Sequence, residues 1–193
     1  MARPREFDED AALDRAVELF WTRGYAGTSI ADLERHLHVR RQSLYNTFGD
    51  KRALFLMALD RYSQWNAEHL VSILEAPGSG LDAIRAYLRA TVEFLTPPGP
   101  RKACLIANSL LEIGRGDAEI GARCLEHQAM VTEGIQHALI RAVGRRELPR
   151  TFEVEAWATL LAAQVYGLAL LAKGGATRQQ LMAAGSLLVA RLG

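Results

Sequence analysis

Proline is confined to Pro4, Pro77, Pro97, Pro98, Pro100 and Pro149, so residues 5–76 and 101–148 contain none. A proline inside a helix removes a hydrogen bond and clashes with the turn before it, so long proline-free runs leave room for helices and the prolines mark the breaks. The 30 Ala and 28 Leu outnumber the 26 Val, Ile and Thr taken together, which favours helix over strand. An all-α fold is expected. At 193 residues the chain has room for one large domain or two unequal ones. Its 49% apolar and 23% charged residues exclude a largely disordered chain. Cys104 and Cys124 are too few for a disulfide framework, so a reducing cytoplasm is the expected compartment. The N-terminus turns acidic before any apolar run begins, unlike a signal peptide. The most apolar stretch, Ala156 to Ala172, is interrupted by Thr159, Gln164 and Gly167 and falls short of the ~20 residues of a membrane span, so no membrane partner is expected.

Helix signals follow one another along the chain. Asp8 can cap a first helix with Leu13, Ala16, Val17 and Phe20 on one face and Gly24 at its end. Thr28-Ser29 opens a second, where Ser29 and Asp32 have the spacing of a capping box. After a turn at His38 comes a third short segment ending at Phe48-Gly49, and Asp50 can cap a long fourth. Later helices are expected over residues 81–95, 103–113, 117–143, 152–172 and 177–192.

Helices two and three together span only Thr28 to Phe48, too short to be stable without neighbours. The third separates a polar face (Arg40, Arg41, Gln42, Ser43, Tyr45, Asn46 and Thr47) from apolar anchors Val39, Leu44 and Phe48. That is the layout of a helix-turn-helix, whose second helix enters the DNA major groove. Arg suits guanine, Gln and Asn suit adenine, and Tyr and Ser reach phosphate oxygens. From Arg35 to Arg52 five basic residues face one acid, Asp50, although the chain's net charge is only +1. A charge run alone is as compatible with a solvated face. The bihelical spacing is what favours DNA.

Residues 10–60 resemble the N-terminal domain of TetR-type (tetracycline-repressor-like) transcriptional regulators. The resemblance is carried by AVELFWTRGYAGTSIADLERHLHV followed by RRQSLYNTFGDKRALFLMAL, above all Leu44-Tyr45-x-x-Phe48-Gly49-x-Lys51-x-x-Leu54. It implies a three-helix DNA-binding domain at residues 6–52, with the helix-turn-helix at about 28–48. It also implies a helical ligand-binding and dimerisation domain at residues 53–193, and repression of operator DNA relieved by a small-molecule inducer. By residue it places Thr28 or Ser29, Tyr45 and Lys51 at phosphates, leaving Arg41, Gln42, Ser43 and Asn46 to read bases. The family's turn carries Gly where this chain has His38, and a small capping residue where it has Arg40. Positive φ costs His less than most residues.

The second half points less sharply. Tyr62, Trp65, Tyr87, Phe94 and Trp157, with Cys104 and Asn108, are candidates for lining an inducer pocket, and core packing is the competing role of each. Asn108, His127 and Gln164 lie in apolar helices, where a hydrogen bond to a neighbouring helix accounts for them. Trp157, Leu160, Leu161, Val165, Leu168 and Leu171 ring the penultimate helix, with Leu181, Leu188 and Leu192 on the last; a helix apolar on two sides needs two partners, so a homodimer is expected there. Cys104 follows Arg101 and Lys102 at a helix start, a setting that favours thiolate and electrophile sensing, against the plainer role of filling apolar space. No Gly-rich phosphate loop, GxSxG or HExxH occurs, and His36-x-His38 stands among arginines, so no cofactor, metal or enzymatic activity is expected.

Overall fold

The computed structural model describes residues 7–97 and 104–192. Nine helices follow in order among them: α1 (Glu9–Arg23), α2 (Ile30–Leu37), α3 (Arg41–Phe48), α4 (Lys51–Asn66), α5 (Gly80–Leu95), α6 (Leu105–Ile113), α7 (Ala118–Gly144), α8 (Val154–Lys173) and α9 (Arg178–Val189). No strand is present in the described residues. Local signals set most boundaries. The Ala11 N–H donates to Asp8 Oδ1 at 3.1 Å. Ser29 and Asp32 form the reciprocal capping box, and His38 ends α2 in the left-handed region at φ 57°. The Ala53 N–H donates to Asp50 Oδ1 at 2.8 Å. One feature carries no local signature: α4 runs on through a π-helical turn, Ala67–Val71, into a last α-turn, Ser72–Leu74.

Two compact units result, and they do not follow chain order. The N-terminal unit holds the residues up to Gln64 together with Leu105–Cys124; the C-terminal unit holds Trp65–Cys104 and the chain from Leu125 onward. The boundary expected near residue 52 falls inside the N-terminal unit, which α6 and the first turns of α7 join. In the N-terminal unit, Phe20 meets Phe55 edge-on at 4.8 Å amid buried Ala16, Leu33, Leu37, Leu44 and Leu54. Arg52 Nε donates to Asp117 Oδ2 at 2.5 Å, and its Nη2 donates to Asp117 Oδ1 at 2.9 Å and to Glu119 Oε2 at 2.8 Å. Arg123 reaches both oxygens of Asp60. The Arg52 guanidinium and the Ile120 N–H hold the Asp117 carboxyl down at about 2.

In the C-terminal unit, α5 buries Leu81, Ile84, Tyr87, Leu88, Val92 and Leu95 along one stripe. Its first residue must be glycine: a Cβ on Gly80 would fall 2.0 Å from the Ala138 carbonyl oxygen. The 20-residue α8 outruns the apolar stretch read from sequence and, by length and composition, meets the dimensions of a membrane span. That corrects the expectation of too short a segment. Ala158, Leu161, Ala162, Val165, Leu168, Ala169 and Ala172 turn inward, while about two thirds of the apolar window is not buried.

Candidate nucleic-acid interface

α3 is an eight-residue helix, so tertiary contacts must supply its stability. Leu44 (fully buried) and Phe48 anchor it from below, with Val39 buried in the preceding turn. Arg40 takes the extended N-cap conformation but offers no side-chain cap. The cap comes from α2: the Arg41 N–H donates to Glu34 Oε1 at 2.7 Å. A carboxylate at a helix N-terminus satisfies an otherwise orphaned donor and suits the positive end of the dipole. Glu34 is a residue the sequence reading missed.

Opposite the anchors, Arg40, Arg41, Gln42, Tyr45 and Asn46 are exposed, while Ser43 and Thr47 are half-buried. The exposed side chains pair one turn apart. Gln42 Nε2 donates to Asn46 Oδ1 at 3.0 Å. The Arg41 guanidinium lies 5.6 Å from the Tyr45 ring centre, with its Nη2 3.4 Å from the phenol oxygen. Such i,i+4 pairs limit rotamer freedom before any ligand arrives. The face therefore offers a planar cation, two amides and a phenol, the donors and acceptors suited to base edges and phosphate oxygens.

Two sequence-predicted phosphate contacts lie elsewhere. Thr28 is fully buried and its hydroxyl donates to the Gly24 carbonyl at 2.7 Å, so it faces inward. Lys51 Nζ donates to the carbonyls of Tyr25 (2.9 Å) and Thr28 (2.8 Å) and sits 4.1 Å from the Tyr25 ring centre. Its long stem lets it turn back and brace the α1–α2 turn. Ser29 is exposed with its hydroxyl in the capping box. Arg52, counted toward the local positive charge, is matched by Asp117 and Glu119. The outward positive charge of this face rests on Arg40 and Arg41.

Of the pocket candidates, Trp65, Tyr87, Phe94, Cys104 and Trp157 belong to the C-terminal unit, and Tyr62 and Asn108 to the N-terminal unit. Tyr62 packs edge-on to Trp21 in the N-terminal unit at 5.1 Å. Trp65 stacks between His69 (4.6 Å) and Phe94 (4.8 Å), while Trp157 stacks on Phe152 at 5.7 Å. Tyr87 and Cys104 are both buried, and burial raises the pKa of the Tyr87 phenol. Asn108 is half-buried on α6. Arg101 and Lys102, which the reading of Cys104 as a sensor invoked, lie outside the described residues. Neither of two surface grooves takes in these candidates: one is lined by Leu88, Arg89, Val92, Met182, Gly185 and others between α5 and α9, the other by Phe7, Leu13, Thr47, Phe48 and Met57 among them. Of the dimer candidates, Leu161, Val165, Leu168, Leu181 and Leu192 are buried within their own chain, a correction to their assignment to a partner. Leu160 is exposed, Trp157 and Leu188 are half-buried, and Leu170, Leu171 and Leu187 join Leu160 on the surface. Among the described residues no group of three or more His, Cys, Asp or Glu could hold a metal.

Comparison with known proteins bears on this geometry. Residues 12–58 match the family of bacterial regulatory proteins described as the tetR family, and residues 80–185 match the tetracyclin repressor-like C-terminal domain. The chain is 43% identical over 149 residues to the HTH-type transcriptional regulator YezE of Bacillus subtilis, covering 77% of this chain and 76% of that one. It is 31% identical over 181 residues to the HTH-type transcriptional repressor ComR of Escherichia coli, covering 93% and 86%. Among solved structures, a cysteine mutant of the TetR family regulator CifR, complexed with 26-bp double-strand operator DNA, superposes with a TM-score of 0.90 over both full chains at 29% identity.

Proposed function

Because the chain belongs to the TetR family of DNA-binding transcriptional regulators, we propose that it is a cytoplasmic repressor that lays α3 in the major groove of operator DNA and is released by a small-molecule inducer. The observation that carries this reading is the α3 face, with Gln42–Asn46 and Arg41–Tyr45 paired outward over buried Leu44 and Phe48. ComR is named a repressor and CifR was solved on operator DNA, which supports the same action here. The C-terminal unit is the proposed seat of the inducer, with the buried Tyr87 and Cys104 among its polar groups.

Selection of bound duplexes from a random pool, followed by titration of variants, tests the assignment. Gln42→Ala and Asn46→Ala should each relax preference at particular base pairs, by about 1–3 kcal/mol per lost contact. Their effects should combine non-additively, because the two amides are hydrogen-bonded to each other. Tyr45→Phe should weaken binding to every sequence alike. Wild-type behaviour of both amide variants on the selected duplex would show this assignment of base readers to be wrong.

A twofold dimer is part of the proposal. Leu160, Leu170 and Leu171 on α8 and Leu187 on α9 are exposed at 48%, 68%, 52% and 62%. Exposed large apolar side chains grouped on adjacent helices mark an association surface. Paired subunits also place two recognition helices ~34–36 Å apart, as consecutive major grooves require. Leu160→Asp with Leu171→Asp should convert a dimer into a monomer in sedimentation equilibrium and reduce operator affinity at least tenfold, about 1.4 kcal/mol. A wild-type chain that sediments as a monomer at micromolar concentration rejects the arrangement.

A further inference from the structure

The turn between α1 and α2 is gripped from two sides. On one side Glu112, near the end of α6, presents its carboxylate to consecutive backbone amides: the Tyr25 N–H donates to Oε2 at 3.0 Å and the Ala26 N–H to Oε1 at 2.7 Å. On the other, Lys51 donates to the carbonyls of Tyr25 and Thr28. Gly24 opens the turn at φ 76°, and a Cβ there would stand 2.8 Å from Glu112 Oε2, so the carboxylate can approach only because residue 24 is glycine. Successive N–H groups aimed at one point form an anion-binding concavity. Here a side chain 86 residues along the chain fills it. All of these groups belong to the N-terminal unit.

What the turn holds gives the contact its meaning. α2 leaves the turn, and its Glu34 caps the start of α3. Lys51, bonded to the turn's carbonyls, opens α4 just beyond Gly49, the residue that ends α3. Both ends of α3 are thereby referred to the turn that Glu112 grips. We propose that Glu112 is a positioning residue for operator recognition: it meets no nucleotide, and it fixes the α1–α2 turn so that α3 is held at the angle at which its side chains reach base edges. A carboxylate is required because both of its oxygens accept. Glutamine keeps one acceptor and sets an NH2 against an N–H, and aspartate falls a methylene short. The inference rests on α3 being the base-reading helix.

Glu112→Gln and Glu112→Ala in the full chain test it by two readouts. In amide hydrogen exchange without DNA, exchange at Tyr25 and Ala26 should rise at least tenfold, and the rise should spread through α2 and α3 while α8 is unaffected. In competition binding, the preference for the selected duplex over a scrambled one should fall about tenfold, while affinity for the scrambled duplex is unchanged. Affinities for both duplexes that fall in proportion would make Glu112 an ordinary stabilising contact and overturn the proposal. So would faster exchange confined to Tyr25 and Ala26, or an unaltered preference in both variants. Wild-type preference in Gln42→Ala and Asn46→Ala counts against those two amides as readers, and the exchange and preference readouts of the Glu112 variants still decide the positioning role on their own.

Discussion

Phe20→Ala should lower the stability of the N-terminal unit by about 3–5 kcal/mol, because it deletes a large buried ring and leaves a cavity that its neighbours only partly fill. Phe20 is fully buried, edge-on to Phe55 at 4.8 Å and beside Tyr25 at 6.5 Å. Collapse of the site would drag α1 toward α4, which the ion pairs of Arg61 with Asp10 and Asp14 hold in register. A domain's whole stability is only about 5–15 kcal/mol, so the loss approaches unfolding. Operator binding should disappear with it. Urea unfolding followed by tryptophan fluorescence measures the effect, since Trp21 lies in the same unit, 5.1 Å from Tyr62. A change below about 1 kcal/mol would mean that the neighbours of Phe20 repack to fill the site.

The second large effect is set by pH. His127 lies on α7, only 4% exposed, and burial pushes its pKa down to about 4. Above pH ~6.5 the imidazole is neutral whether the chain is folded or not, and it contributes no pH dependence. As pH falls from there toward 4, the unfolded chain takes up a proton that the folded chain refuses. Stability should therefore drop toward about 1.4 kcal/mol per pH unit, about 3 kcal/mol in all by pH 4. Below pH 4 both states are protonated and this contribution levels off. His127→Gln should flatten the curve across that window, so the difference between the two proteins isolates the residue from the carboxylates. Asp117 acts in a separate range: held down at about 2, it stabilises the fold above pH ~3.8 and loses that effect as pH falls through 2. Parallel stability curves for wild type and His127→Gln between pH 7 and 4 would show that His127 is solvated in the folded protein.

Signals that act within three or four residues were legible in the sequence. Asp8, the Ser29–Asp32 box, the turn at His38 and Asp50 all appear where the residues put them, because a cap and its amide are chain neighbours. Contacts that cross a turn were not. Glu34 caps α3 in place of Arg40, and Lys51 folds back to the α1–α2 turn, choices fixed by how α2 and α4 meet. Apolar periodicity identified α8 as a helix but could not say which stripe its own chain would cover. Leu161, Val165 and Leu168 turned inward, and Leu160 and Leu171 outward. The surroundings of the aromatic residues were hidden for the same reason: residue type fixes how much surface a ring buries, and only the tertiary fold fixes what it is buried against.

The order in which the N-terminal unit gathers its pieces has a consequence during synthesis. Arg52 finds Asp117 across 65 residues of chain, and Asp60 finds Arg123 across 63. A ribosome releases α1–α4 first, then all of α5, before the segment that completes their unit emerges. Until then Arg52 and the backbone amides of the α1–α2 turn have only water as partners. The α1–α2 turn thus lacks its long-range partner for a time set by the rate of translation. A slow codon run placed before the segment encoding residues 105–124 would prolong that interval, and one placed after it would not.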